Sequence, residues 1–210
     1  MLTFRTVALA PPGMQSSTSL DFALRQRQTI RAISGKPLSI ALLSNLLWAA
    51  CGVNRQDGPF GTQGSTAASA SNSREIDVYI AAAGATFIYA AGDHLLRPVA
   101  QGDLRKLAMT PGQPVQATAP VHLIYVADVD RLTHTAGFDE PGLHDPEVQK
   151  SYYFVDTGLI AGNVYLFAAA HGLAAWFHNC DRESLAVRLE LGANQRVLFA
   201  QSVGYPDIRN

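Results

Sequence analysis

Charge is scarce in this chain. Asp, Glu, Lys and Arg supply 16% of its 210 residues, against about 25% in ordinary globular proteins. The two signs nearly cancel, at a formal net charge of -1. Without a basic excess there is no general attraction to nucleic acid or to an anionic membrane surface. Cysteine is rarer still. Cys51 and Cys180 stand alone, and two isolated thiols build neither a zinc site nor a disulfide framework. Reduced thiols in a cytoplasmic protein are the expectation. The apolar stretch 158–170 is interrupted by Asn163 and is shorter than a membrane span. The run 7–10 is too short for a secretory segment and is followed by Pro11 and Pro12. There is no Gly-x-Gly-x-x-Gly and no phosphate loop. His122, His134, His144 and His171 show no metal-ligand spacing.

Apolar residues are plentiful, at 48%. The length suits one domain with a sizeable core, placed at 17–210 after an irregular arm, 1–16. With so little charge, polar material is short for covering a monomer, and a large subunit interface is expected. Ser17 or Thr18 is placed to cap a helix ending near Arg27, and Ser39 to cap a second one with Leu42, Leu43, Leu46 and Leu47 as its buried stripe. Residues 54–75 are rich in Gly, Ser, Thr and Ala and predict a long functional loop. Strands are predicted at 76–83, 121–127, 173–177 and 196–203, and a hairpin about Gly92-Asp93. Asp103 is placed to cap a short helix to about Met109, and Asp181 one to about Leu191. The longest helix is predicted at 147–170, ending at His171-Gly172, with Val155, Leu159, Gly162 and Leu166 on one stripe and Gly158 and Gly162 open to close approach by another helix. Residues 129–146 lack periodicity and suit a lid. Helices and strands do not alternate strictly, so the fold class is α+β.

Two segments carry the chemistry. Arg27-Gln28-Thr29-Ile30-Arg31 places two guanidinium groups and a hydroxyl within five residues. At a spacing of four, a helical turn puts Arg27 and Arg31 on one face. Guanidinium forks match phosphate oxygens and stay charged at physiological pH. Leu46-Leu47-Trp48-Ala49-Ala50-Cys51-Gly52 then reads as a buried helix stopped by glycine. An anion clamp beside a packed helix suggests a phosphorylated cofactor held against the core.

Arg-x-Thr-x-Arg followed by Leu-Leu-Trp-Ala-Ala-x-Gly-Val-Asn resembles the opening of FMN-dependent nitroreductase-family proteins, and within them the branch of the SagB-type azoline dehydrogenases. The resemblance spans roughly residues 20–206. It implies a nitroreductase-like fold: a central, mostly antiparallel sheet flanked by helices, in an intertwined homodimer with FMN at the interface. It also implies that Arg27 holds the FMN phosphate, with Thr29 and Arg31 along the ribityl chain and ring. Gln28 stands where the family often has a basic residue. Ala68-Ser69-Ala70-Ser71-Asn72-Ser73-Arg74 is similar to the family's Pro-Ser-Ser-x-Asn-x-Gln loop, which reaches the partner's flavin. That similarity makes Ser69, Asn72 and Arg74 cofactor candidates, although Ala68 and Arg74 depart from the pattern. Gly172-Leu173-Ala174-Ala175-Trp176-Phe177-His178-Asn179 resembles the segment whose end gives a backbone N–H to flavin N5, which marks His178 and Asn179 by position. Arg209 is the one residue placed to stand for the family's later phosphate contact. Lys150 and Tyr152 invite comparison with the Lys and Tyr acid/base groups of azoline dehydrogenases. The implied activity is ping-pong transfer from NAD(P)H through FMN to nitroaromatics, quinones or similar conjugated acceptors. An azoline dehydrogenase acting on a modified peptide, or a flavin-binding protein without turnover, are the alternatives.

Overall fold

The apolar run 121–127 becomes a central strand because both of its faces are covered. In the computed structural model, which describes residues 2–13, 18–110, 112, 118–136 and 144–207, β7 (Val121–Asp128) lies between β4 (Ile76–Ala81) and β9 (Gln195–Gly204). With β1 (Val7–Ala8), β5 (Ala85–Ala90), β6 (Leu95–Gln101) and β8 (Ala174–His178), these strands form a seven-stranded sheet in the order β1-β6-β5-β4-β7-β9-β8. Every neighbouring pair is antiparallel, which makes the fold α+β.

Strand alternation splits the core in two. Val78, Ile80, Leu123, Tyr125 and Val203 pack with α2 (Ile40–Cys51) and α4 (Pro146–Ala170). Tyr79, Ala81, Ile124 and Ala200 turn the other way, toward Leu104, Ala108 and α5 (Arg182–Arg188). Helix α2 starts where Ser39 accepts a hydrogen bond from the Leu42 N–H, and buries Leu43, Leu46 and Leu47. Its closing Gly52 is not left-handed. The glycine is required by contact, because a Cβ there would lie 2.4 Å from Trp48 Cδ1. Helix α4 is capped by Asp145 and ends at His171, followed by left-handed Gly172. Length and composition alone would let α4 cross a membrane. In the fold it turns Tyr153, Asp156, Thr157, Ile160, Val164 and Phe167 inward.

Several local expectations give way to tertiary contacts. Within the arm read as irregular, Val7–Ala8 pairs with Leu95 and Leu96 and extends the sheet. The first helix, α1 (Leu20–Gln26), is capped by Ser19; Ser17 lies outside the described residues. Residues 54–75 are not one long loop. The segments β2 (Val53–Arg55) and β3 (Gly64–Ser65) pair, with one short 3-10 turn, Pro59–Gly61, between them and another, Ala70–Asn72, after them. The turn at Gly92-Asp93 spans four residues, with Ala90 paired to Leu95 and His94 at φ 48°. Asp103 caps no helix. Its carboxylate binds the Arg105 N–H and guanidinium over a series of turns. Helix α5 ends at Arg188, before the predicted Leu191. Part of the predicted lid is α3 (Val129–Thr133), and residues 137–143 lie outside the described set.

The correction with most consequence concerns residues 27–32, which are not helical. The Ile30 N–H donates to the Ala175 carbonyl, Ser34 to Tyr205 and Asp207 to Ala32, and Ile33 bridges Pro206. These sheet-edge bonds outcompete another helical turn. Gly204 permits the approach, since a Cβ there would come within 2.7 Å of both Ile33 Cγ2 and Pro120 Cδ. Gly204→Ala should therefore cost about 1–3 kcal/mol by overpacking. Urea denaturation should show a lower midpoint at unchanged slope; an unchanged midpoint would mean that the edge yields freely.

Candidate functional site

The edge segment 27–31 sets its polar side chains on two aromatic rings. The Arg27 guanidinium carbon lies 5.6 Å from the centroid of the Tyr165 ring, and that of Arg31 lies 5.6 Å from Trp176. Thr29 Oγ1 is 3.2 Å from the Tyr165 hydroxyl, which also accepts the Phe177 N–H at 2.8 Å. Tyr165 thus ties α4, β8 and the arginine segment together. Arg27, Thr29 and Arg31 are all exposed, and neither guanidinium meets a carboxylate among the described residues. Two open cations flanking a hydroxyl fit a phosphorylated, hydroxyl-bearing cofactor. Gln28 is exposed beside them and has no hydrogen bond among the described residues.

At the end of β8, His178 is buried, with both ring nitrogens engaged: Nδ1 with the Asn179 carbonyl at 2.9 Å, and Nε2 with Ser202 Oγ at 2.7 Å. Burial lowers its pKa, so the ring stays neutral. Asn179 is exposed, and its side-chain oxygen accepts from Arg182. Both residues flank the edge held by Arg31 and Trp176.

The 68–74 segment lies elsewhere in the same protomer. Ser71, Asn72 and Arg74 adopt positive φ values of 46°, 56° and 47°, uncommon for residues other than glycine. Internal bonds hold this shape. Ser69 Oγ accepts the Arg74 N–H, and the Asn72 amide donates to Thr62 and to the Gln63 carbonyl. The Ala70 N–H donates to Asp156 of α4 at 2.8 Å. A cavity of about 450 Å³ opens under the segment, lined by Arg74, Glu75, Asp77, Tyr89, Arg131 and Asp156 among others. It is distinct from the Arg27 edge. Lys150 pairs with Glu147 in the first turns of α4. Tyr152 is half-buried nearby. Along the helix Tyr152 is roughly 20 Å from Tyr165, so neither residue joins the arginine edge within one protomer. Arg209 lies outside the described residues.

Glu75 and Asp156 form a buried acidic pair that sequence inspection missed. Glu75 accepts the Ser73 hydroxyl at 2.7 Å with one oxygen and has no hydrogen-bond partner on the other. Burial, reinforced by the nearby Asp156 carboxylate, pushes the Glu75 pKa up to about 7, and burial also raises that of Asp156. An unfolded Glu releases its proton near its ordinary value of 4.5 while the folded one keeps it to about 7. Stability is then expected to fall as pH climbs through that window. Glu75→Gln should flatten the fall. Urea midpoints between about pH 5 and about pH 8 check this, and an identical fall in both proteins would assign it to other groups. Tyr165, Asp156 and Ser202 were also missed: each is an isolated polar residue in an apolar element, and only long-range pairing gives it a role.

The fold and sequence match known proteins over most of the chain. The model of the Nitroreductase family matches residues 24–205. The crystal structure of a protein from Ralstonia eutropha JMP134 that bears the nitroreductase name is similar at TM-score 0.84 and 29% identity, over 97% of this chain and 90% of that one. Nitroreductase A from Vibrio parahaemolyticus shares the fold at TM-score 0.61 and 19% identity, over 90% and 68%. A chain of the Escherichia coli microcin synthetase McbBCD complex, solved with truncated pro-MccB17 bound, shares it at TM-score 0.71 and 18% identity, over 97% and 79%. No curated protein matches. With the antiparallel sheet, the family match over most of its length places the chain in the nitroreductase family, a family of oxidoreductases.

Proposed function

We propose that the protein is an FMN-dependent NAD(P)H oxidoreductase whose edge segment binds the cofactor's phosphate through Arg27, with Thr29 and Arg31 along the remainder. The observation that carries this is the pair of uncompensated guanidinium groups seated on Tyr165 and Trp176 about a hydroxyl. FMN, when bound, supplies the ring that takes hydride from NAD(P)H and passes electrons in a second step to a nitroaromatic, quinone or similar acceptor. The protein's own work is position and charge. The aromatic rings fix the guanidinium groups at little entropic cost, and the end of β8, at His178 and Asn179, offers backbone donors. Free thiols at Cys51 and Cys180 accord with a cytoplasmic location.

The second half of the site is assigned to a partner copy. Along α4, Val155 is 60% and Leu159 43% exposed, and nothing lies within 4 Å of a Cβ built on Gly158 or Gly162. Leu20, Phe22 and Leu24 of α1 are exposed as well. An apolar strip of this kind suits a helical dimer interface, and across it the 68–74 segment of one protomer serves the flavin of the other. Its bonds leave the Ser69 hydroxyl hydrogen, the Asn72 carbonyl oxygen and the Arg74 guanidinium for a ligand. The fold shared with the microcin synthetase chain favours peptide dehydrogenation as the second reading, in which Lys150 and Tyr152 act as the acid/base groups.

The protein should carry the visible bands of oxidised flavin and bleach anaerobically with NADH or NADPH. Bands that persist with both would favour peptide dehydrogenation or a binding protein without turnover. Arg27→Ala should weaken FMN about tenfold to a hundredfold, the worth of a charged hydrogen bond, with the fold intact by circular dichroism. Full occupancy in that variant would remove the phosphate assignment. Leu159→Lys should turn a dimer into a monomer in sedimentation; a wild-type protein that sediments as a monomer would remove the dimer.

A further inference from the structure

His122, Ser202 and His178 occupy three neighbouring strands, β7, β9 and β8, on the face away from α4. All three are buried. Ser202 Oγ lies 2.9 Å from His122 Nδ1 and 2.7 Å from His178 Nε2, and His178 Nδ1 lies 2.9 Å from the Asn179 carbonyl.

The proton positions follow by elimination. A carbonyl oxygen only accepts, so His178 Nδ1 carries a hydrogen. In a neutral ring Nε2 is then bare, and it accepts the Ser202 hydroxyl hydrogen. That hydroxyl has no second hydrogen to give, so it accepts from His122 Nδ1–H. His122 Nε2 is left as a bare lone pair, and it is indeed buried without a partner. Burial drives the His122 pKa down to about 3, consistent with a neutral ring. The chain of donors runs one way, from His122 through Ser202 and His178 to the peptide that joins Asn179 to Cys180.

A trans peptide is planar, so fixing the Asn179 carbonyl also fixes the Cys180 N–H on the opposite side. Neither the Asn179 nor the Cys180 N–H has a hydrogen-bond acceptor among the described residues. The Asn179 side chain is itself held by Arg182, whose Nε donates to the Leu198 carbonyl. The segment is thus locked from both of its polar sides while its amides stay free.

We infer that His122, Ser202 and His178 are positioning residues: a directed hydrogen-bond wire that sets the peptide plane after Asn179, so that the free Cys180 N–H in that plane faces an acceptor on the bound flavin ring. This rests on the flavin reading above. It gives the buried His178 side chain a role by way of the backbone, without contact to the cofactor.

The test has two parts. Nitrogen-15 spectra of the histidines, taken on the protein without flavin, should show both His178 and His122 protonated at Nδ1. Ser202→Ala should leave His178 protonated at Nδ1, where the Asn179 carbonyl holds it, but move its Nε2 resonance to that of a lone pair without a donor, and Ser202→Thr, which keeps the hydroxyl, should restore it. Binding of FMN and of riboflavin, which lacks the phosphate, should then weaken together about tenfold in Ser202→Ala and recover in Ser202→Thr. Arg27→Ala should weaken FMN alone. A wild-type His178 protonated at Nε2 would overturn the wire. Unchanged affinity for both flavins in Ser202→Ala would overturn its positioning role. A wild-type protein that binds neither flavin would overturn the flavin reading and that role with it, while the histidine spectra would still decide the wire's direction.

Discussion

The structure depends on β9 being hydrogen-bonded on both edges. Between β7 and β8 it has no free side, and three of its residues and one just past its end serve four different contacts. Gln201 accepts the buried Tyr125 hydroxyl, Ser202 joins two histidines, Gly204 lets Ile33 and Pro120 close in, and Pro206, just beyond, bridges Ile33. Because side chains alternate along a strand, slipping β9 by one residue would exchange Gln201 and Ser202 between the two cores. The polar groups of both layers therefore fix its register, and the register fixes where the arginine segment lies.

Charge is used sparingly, and where it goes is informative. Arg131 binds Asp77 and Asp128, Arg105 binds Asp103, and Arg97 binds Asp93. Exposed pairs of this sort add little stability. Arg27 and Arg31 make no such pair among the described residues. They sit on aromatic rings, which hold a guanidinium in place without neutralising it. In a chain with so few charges, two cations kept unpaired at one edge make a local positive field that an anionic ligand can use.

What was legible in the sequence divides along the range of the interactions. β7 read correctly because continuous burial leaves a continuous apolar run. Helices α2 and α4 read correctly because their caps, Ser39 and Gly172, are local. The family resemblance pointed to the Arg27 and Gly172 segments, although it did not give their conformations. Residues 27–31 looked helical because an Arg pair at a spacing of four suits a helix; the partner carbonyl of Ala175 lies far along the chain, and no local pattern announces it. The Gly92-Asp93 turn was misjudged by two residues because the β5 and β6 register is set by the rest of the sheet. Tyr165, Asp156 and Ser202 are single polar residues in apolar elements, a pattern that fits solvent exposure as well as a buried contact.

The buried polar groups share a logic. Placing Glu75, Asp156, His122 and His178 inside the protein costs desolvation that an apolar residue would avoid, so their return must be sought in arrangement. Asp156 holds the Ala70 N–H, and with it a segment of three left-handed, non-glycine residues that would otherwise relax. His178 holds the Asn179 carbonyl, and with it the chain where it leaves β8. In both places a side chain within the core restrains backbone at its margin. The two restrained margins are the segments that the proposed dimer would bring together as opposite halves of one cofactor site. A dimer that assembles such a site needs each half rigid before they meet, since any freedom left in either would be lost again on binding.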